Sequence, residues 1–585
     1  MKWRLFSYLL VLLLCISIKT AYAEWSSVGT GIDYQQFTLP YPNNVFVARH
    51  TRSNTNAFIE SSIAQGRTSG GTETVSNQAS RYDEAINYWN QTWGNRNDVI
   101  VAINGSYYNT TTGVPESGVI HSSWYDKRYD NASGMSGFLW QLDRDAFIGE
   151  CITHFNYKNI VTYVNTTNTQ QFQGVGRDRG SNELIIYTPQ YDSDTNTDNT
   201  GSEVLVELST RPALIIPTPN MVTGYVRQIR EDQGSTPIPF DHIVLSATGT
   251  AETTMLSNVS IGSEIGISHE IKSYERDCST ARSLDWTKTY AGVSGNWVFL
   301  NNNVIQYGID PSGETHPRTA IALNDSYVFY IVCDGRDPGT SVGMTIDELA
   351  EFCKNTLGAT WGVNQDGGGS STMVVNGTVM NNPSDGSERS VANGMLMCNL
   401  LAKSQTTTFA ADDPVQTNAA ANIRLGPGTN YAVITTLSSG ATGTIVAHSL
   451  NGVAAKGYNW WKCDFSGTVG WVAESLLEPY GPPITCHVDS IVLSTVPGSK
   501  GTKYGRATVT IKDNNGGLVS SANVTGTFTG DFDETLSETT NINGVAVLTT
   551  TAAVKKPSFT FCVDNITHAS LTYNSDDNVE TCYSY

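Results

Sequence analysis

Short alternations of apolar and polar residues dominate the chain, broken at close intervals by Gly, Asn, Asp and Ser. Such a pattern predicts half-buried strands joined by tight turns. The stretch "RTAIAL" (318 to 323), the turn "NDS" and "YVFYIVCDGR" (327 to 336) read as a hairpin. It leads into "TIDELAEFCKNTLG" (345 to 358), where the period changes. Ile346, Leu349, Ala350, Cys353 and Leu357 fall on one helical face, Thr345 and Glu348 form a capping box, and Gly358 can end the helix. "RYDEAINYWNQ" (81 to 91) also has helical spacing. Past the second helix come "WGVNQ", a run of three glycines, and the strand-like "STMVVNGTVM", so Asp366 sits where one strand ends and another begins. The expected fold is multidomain, with a sheet-rich, mixed α/β large domain.

The pattern breaks twice. Residues 403 to 420 are small and polar and carry Pro414, as a linker would. "EPYGPPIT" (478 to 485) is a second break. Three modules follow: 24–402, 421–480 and 484–585. Residues 1–23 read as a secretory signal, with Lys2 and Arg4, an apolar core from Leu9 to Ile16, and Ala21-Tyr22-Ala23 as the cleavage site. That apolar run is too short to cross a bilayer, and no other segment is expected to. A secreted protein, extracellular or in the periplasm or cell envelope, is expected.

With 39% hydrophobic and 15% charged residues and a net charge of −20, the chain is unsuited to nucleic-acid phosphates. Nine cysteines follow residue 23, an odd number, so at least one thiol is free or pairs between chains. No CxxC pair or Cys/His cluster suggests zinc.

The most informative stretch is "NQDGGGSSTMVVNG" (364 to 377), a lone carboxylate before residues without side chains. Together with "HPRTAIAL" (316 to 323) and "CDGRDPGTSVGMTIDELA" (333 to 350), it resembles the phosphodiester glycosidase family. "AINGSYYNTTTGVPESG" (102 to 118) resembles that family's Asn-Gly-Gly-Phe-Phe segment. "IVLSATG" (243 to 249) resembles a mid-domain strand, and "PSDGSERSVANGM" (383 to 395) a closing arginine segment. The resemblance spans roughly residues 30 to 402. It implies a hydrolase that removes an amino sugar such as N-acetylglucosamine from a phosphodiester.

The residues suit that chemistry. Arg318, Arg336 and Arg389 can grip phosphate oxygens through forked, charge-assisted hydrogen bonds. Gly367, Gly368, Gly369 and Ser370 can aim backbone N–H groups at an anion. Asp366 and Asp334 are candidates for nucleophile, base or stabiliser of an oxocarbenium-like state, and Asn104 can orient a sugar hydroxyl or a water. A leaving phosphate is already a stable anion, so a general acid matters less. Asp334, Asp366 and Asn104 could also hold Ca²⁺ or Mg²⁺, but no spacing resembles a calcium loop and no cofactor is expected. Gln365 stands where the family often has leucine. Asn104-Gly105-Ser106 also matches a glycosylation sequon, read here as part of the site because a glycan would block it.

"ANIRLGPGTNYAVITTLSSGATGTIV" (421 to 446) with "NWWKCDFSGTVGWVAESLLEP" (459 to 479) resembles a bacterial SH3-like domain, which implies a small barrel able to bind cell-wall glycan or peptide. Trp461 and Trp471 equally suit a barrel core, and Cys463 a buried free thiol. "RATVTIKDNNGGLVSSANVTGTF" resembles a bacterial immunoglobulin-like domain with a spacer or adhesive role. The alternative reading is a carbohydrate-binding or adhesion protein that keeps the cleft without catalysis.

Overall fold

The structure is a computed structural model that describes residues 24–129, 136–209, 212, 215–481 and 484–585. The expected signal segment, 1–23, lies outside them. The described residues form two compact units, one ending at Pro479 and one running from Tyr480 to Tyr585.

Strands that matter to the site are β1 (Asn43–Thr51), β2 (Ala57–Ile63), β3 (Asn95–Asn104), β4 (Thr289–Asn301), β5 (Arg318–Leu323), β6 (Tyr327–Cys333), β7 (Trp361–Asn364), β8 (Met373–Val375) and β9 (Asn393–Leu401). The helices beside these strands are α1 (Val75–Tyr82) and α2 (Ile346–Glu351); a further helix, Gly249–Leu256, lies elsewhere. One large sheet runs β1-β6-β5-β7-β4 through its middle, and a second runs β8-β3-β9-β2. Their facing side chains, among them Phe58, Trp140, Tyr290, Ile321, Tyr330, Val363 and Met395, fill one core. Every strand in these two runs is buried on both faces, which explains apolar runs such as Tyr327–Cys333 rather than strict alternation.

Strand accounts for 48% of the chain and helix for 9%, so sheets carry the architecture and the expected helical component consists of short pieces. The hairpin is as read: β5 and β6 pair antiparallel from Arg318–Cys333 to Leu323–Val328. Thr345 and Glu348 do form a reciprocal capping box on α2. Its last turn widens to a π-helix at Phe352–Thr356, and Gly358 follows with φ +67°.

The other helix begins earlier than its pattern suggested. Thr74 caps α1 through Asn77 N–H, and α1 stops at Tyr82. Glu84, Asn90 and Gln91 all have positive φ, so 81–91 is not one helix. Ala85, Ile86, Tyr88 and Trp89 are buried in a short strand and turn. Periodicity over so short an apolar run cannot separate helix from buried irregular chain.

A further eight-stranded sheet is built from strands between residues 160 and 268. Within 403–420, expected as a linker, Pro414–Thr417 pairs with Thr442–Ile445 and Leu477–Pro479 in the sheet of the following module. In that module Trp461, Trp471 and Cys463 are all buried. The second unit has two four-stranded sheets around a common core containing Val509, Phe528 and Phe561. Disulfides join Cys151 to Cys278 and Cys562 to Cys582. Cys333, Cys353, Cys398, Cys463 and Cys486 are free and buried.

Candidate active site at a glycine turn

Ends of strands from both sheets meet at Asp366. β7 delivers it, β3 ends at Asn104, β5 begins at Arg318 and β9 begins at Asn393. The turn is pinned on three sides. Gln365 N–H donates to Thr319 O (2.8 Å), Asp366 N–H to Gly105 O (3.0 Å) and Gly368 N–H to Pro317 O (2.9 Å). Asn104 Nδ2 donates to Asp366 O at 2.6 Å, while its Oδ1 accepts from Thr319 Oγ1 (2.8 Å) and Thr372 N–H (3.1 Å).

The glycines are explained by what lies against them. Gly368 has φ +62°, and a Cβ there would come within 2.9 Å of Arg336 Nη2. A Cβ on Gly369 would overlap Arg389 Nη2 and the Asp385 carboxylate. Bare backbone therefore lets two guanidinium groups close onto the turn. Arg389 is half-exposed and pairs with Asp385 at 2.6 Å. Arg336 is exposed, has φ +63°, and makes no side-chain hydrogen bond or ion pair among the described residues.

Burial lifts the Asp366 carboxyl from its ordinary 3.8 to about 6. The Ser370 hydroxyl, the Arg389 charge and the Gly367 N–H pull the other way, and Glu116 adds a small push upward. Ser370 Oγ lies beside Asp366 and Tyr108 without a hydrogen bond of normal geometry. It belongs to a run of buried, unpartnered polar atoms: Asn364 Oδ1, Gln365 Oε1 and Nε2, Ser371 Oγ, Thr372 Oγ1 and Ser384 Oγ. A buried polar group left unpaired costs roughly 1–3 kcal/mol, so this concentration is a costly feature of the turn. Tyr107 and Tyr108 flank the carboxyl. Burial, with a contribution from Asp366, raises both phenols, Tyr107 to about 12.

The structure brings Asp366, Arg336, Arg389, the three glycines and Ser370 together, and it places three other candidates in hydrogen bonds to protein groups around the turn. Arg318 is buried, with Nε donating to Met344 O (2.8 Å) and Nη2 to Glu314 O (2.8 Å) and Asp310 (3.5 Å). These bonds tie it to the entrance of β5. Asp334 accepts from Asn382 N–H with both oxygens (3.1 Å) and from Asn381 Nδ2 (3.1 Å). Asn381 in turn holds Met373 N–H and Ser371 O, so Asp334 is tied to the far side of the turn. Asn104 is fully buried, and its amide bonds Asp366 O, Thr319 Oγ1 and Thr372 N–H. The same burial leaves no room for a glycan on it.

Sequence reasoning missed Asp385, Asn393 and the two tyrosines. Asn393 Oδ1 takes Ser106 N–H at 2.7 Å and so fixes the segment that carries Tyr107 and Tyr108. Only the proximity of Asp385 to Arg389, four residues apart, was a usable signal.

Two family models match the chain. Residues 239–397 match the phosphodiester glycosidase family. The chain carries a phosphodiester glycosidase domain. The glycosidase match contains Arg318, Asp334, Arg336, Asp366, the glycine turn and Arg389, whereas Asn104 lies outside it. Residues 419–478 match the bacterial SH3 domain.

Among solved structures, the chain is similar to a hypothetical protein from Synechocystis, at 14% identity and TM-score 0.42, over 63% of this chain and 62% of that one. It is similar to an exported protein of Burkholderia pseudomallei at 18% identity and TM-score 0.41, over 62% and 74%. It is also similar to the catalytic domain of zebrafish N-acetylglucosamine-1-phosphodiester alpha-N-acetylglucosaminidase, auto-inhibited by its pro-peptide, at 13% identity and TM-score 0.30, over 64% and 84%. The chain thus spans less than two thirds of the Synechocystis protein. No curated protein sequence matches. No helix among the described residues is long and apolar enough to cross a membrane.

Proposed function

We propose that the protein is a secreted hydrolase that splits a sugar from a sugar-1-phosphodiester, with α-linked N-acetylglucosamine or a related amino sugar as the glycosyl group. The observation that carries this reading is the pair of guanidinium groups, Arg336 and Arg389, laid on a glycine turn beside a carboxyl near neutral pKa. Two arginines suit a phosphodiester anion. The carboxyl suits proton transfer at the anomeric carbon.

In this mechanism Arg336 and Arg389 hold the phosphate oxygens, with turn N–H groups adding to the grip. Water attacks C1 and gives its proton to ionised Asp366. The C1–O bond to phosphorus breaks, and both of its electrons leave with the phosphomonoester. That leaving group is a stable anion, so no second carboxyl need protonate it. Asp366 is the catalytic residue. Asn104, Arg318 and Asp334 are positioning residues.

The SH3 domain would bind envelope glycan or peptide, and residues 484–585 would serve as an immunoglobulin-like spacer. Both would place the enzyme on extracellular or envelope polysaccharide.

The test compares a methyl phosphodiester of N-acetylglucosamine with neutral methyl α-N-acetylglucosaminide. Turnover of the phosphodiester alone is expected, with KM raised at least tenfold in Arg336→Ala and in Arg389→Ala. Equal turnover of the neutral glycoside, insensitive to both substitutions, would point to an ordinary glycosidase. Saturable binding of either compound without turnover would point to a binding protein.

A further inference from the structure

Two tyrosines flank Asp366, and the chain uses their hydroxyls differently. Tyr108 is buried, and its O–H donates to Ser390 O at 3.0 Å. Tyr107 is partly exposed. Its phenol oxygen accepts from Asn364 Nδ2 at 3.2 Å and makes no other hydrogen bond among the described residues. The Tyr107 proton is therefore left for a partner outside them. Asn364 ends β7, two residues before Asp366, and is itself fully buried. The backbone around the tyrosine is held as well. Glu116 N–H donates to Tyr107 O (3.0 Å), and Ser106 N–H donates to Asn393 Oδ1 (2.7 Å). A donor fixed in this way needs little further ordering when a ligand arrives.

The two rings also have different neighbours. Arg389, Asp385 and Ser370 lie near Tyr108. Near Tyr107, besides Asp366, lie Arg318 and Asp310. Those two are buried and face each other at 3.5 Å. The glycines show the same division. A Cβ on Gly367 would meet Pro317 O at 2.8 Å, with Arg318 Cα at 3.9 Å, whereas those on Gly368 and Gly369 would meet Arg336 and Arg389. A phosphate anion belongs on the side of Arg336 and Arg389. The Tyr107 side has its positive charge already paired and offers a neutral donor, which suits the glycosyl group.

Burial, with a contribution from Asp366, pushes the Tyr107 phenol up to about 12, so near neutral pH it keeps its proton and donates. Its partner must accept. On an N-acetylated sugar the ring hydroxyls both donate and accept, whereas the acetamido carbonyl oxygen only accepts.

We propose that Tyr107 is the residue that selects an N-acetylated sugar, its O–H donating to the acetamido carbonyl oxygen. This inference rests on the sugar-phosphodiester reading of the site and assigns the recognition of its glycosyl group to one hydroxyl. Tyr107 transfers no proton in the reaction.

The test measures kcat/KM for the methyl phosphodiesters of α-N-acetylglucosamine and α-glucose, with wild type, Tyr107→Phe and Tyr108→Phe. Wild type should prefer the acetylated substrate. Tyr107→Phe should lose at least fivefold on that substrate and less than twofold on the glucose one, so the preference shrinks. Tyr108→Phe should lower both alike and keep the preference. Thermal unfolding checks each fold. A measurement on wild type alone stands beside the variants: the N-thioacetyl analogue, whose sulfur accepts weakly, should also lose at least fivefold. Turnover of neither phosphodiester by wild type would overturn the reading of the site, and this inference with it. Wild-type turnover with no preference for the acetylated sugar, a preference that survives in folded Tyr107→Phe, or equal losses on both substrates would overturn this inference alone.

Discussion

At the residue scale, Asp366 is a carboxyl whose surroundings oppose its charge. Its folded pKa of about 6 lies above the ordinary 3.8, so the folded state binds the proton more tightly than the unfolded chain does. The stability this group contributes is therefore greatest at low pH. It declines as pH rises from about 4 to about 6, and is flat above. Asp366→Asn should remove that decline. Relative to wild type, the variant should gain up to about 3 kcal/mol near pH 8 and nothing near pH 3.5, read by denaturant unfolding at each pH. Activity should show the opposite face of the same shift. If ionised Asp366 takes the proton, kcat/KM should fall about tenfold per pH unit below about pH 6. Asp366, Arg336 and Arg389 were legible as chemistry because their types and order suffice to suggest it. The hydrogen bonds of Asp334 and Asn104 were not, because each is made to partners far away in the chain. Asn382 lies 48 residues beyond Asp334, and Asp366 lies 262 beyond Asn104.

At the element scale, the glycine turn is the site's foundation, and its requirement is room. Gly369→Ala should force Arg389 and Asp385 off the turn. The expected result is a loss of at least tenfold in kcat/KM with the fold retained, checked by kinetics and circular dichroism. Thr345→Ala is the contrasting case. It removes one half of the capping box on α2, whose buried face packs away from the Asp366 carboxyl. It should cost about 1 kcal/mol in unfolding free energy and leave kcat unchanged. The capping box and the β5–β6 hairpin were readable because capping and turn chemistry are local. The reach of α1 was not. Thr74, which starts it, lies before the apolar residues that drew attention, and Trp89 is buried by tertiary packing against Phe58 and Tyr290 rather than by helical periodicity.

At the scale of the molecule, the SH3 domain is part of the first compact unit. Phe240 of the glycosidase domain packs against Trp471, Tyr431 and His448, and its N–H donates to Leu425 O at 3.1 Å. Lys456 Nζ reaches Ser80 O and Asp83 O at 2.7 Å. Phe240→Ala should cost about 3–5 kcal/mol and lower the unfolding midpoint of the whole unit, measured by calorimetry. The polar stretch before Ala421 reads as a linker, because a strand at a barrel edge needs few apolar residues of its own. Within Pro414–Thr417 the buried residues are Val415 and Thr417, and only Val415 is apolar.

The account stands on Asp366 acting at the anomeric carbon of a glycosyl phosphodiester. The direct measurement is turnover of methyl N-acetylglucosamine phosphodiester by wild type and by Asp366→Asn, with phosphomonoester release followed and folding verified. The prediction is release by wild type and a loss of at least a hundredfold in kcat for the variant, with KM little changed. Undiminished release by a folded Asp366→Asn protein would contradict it.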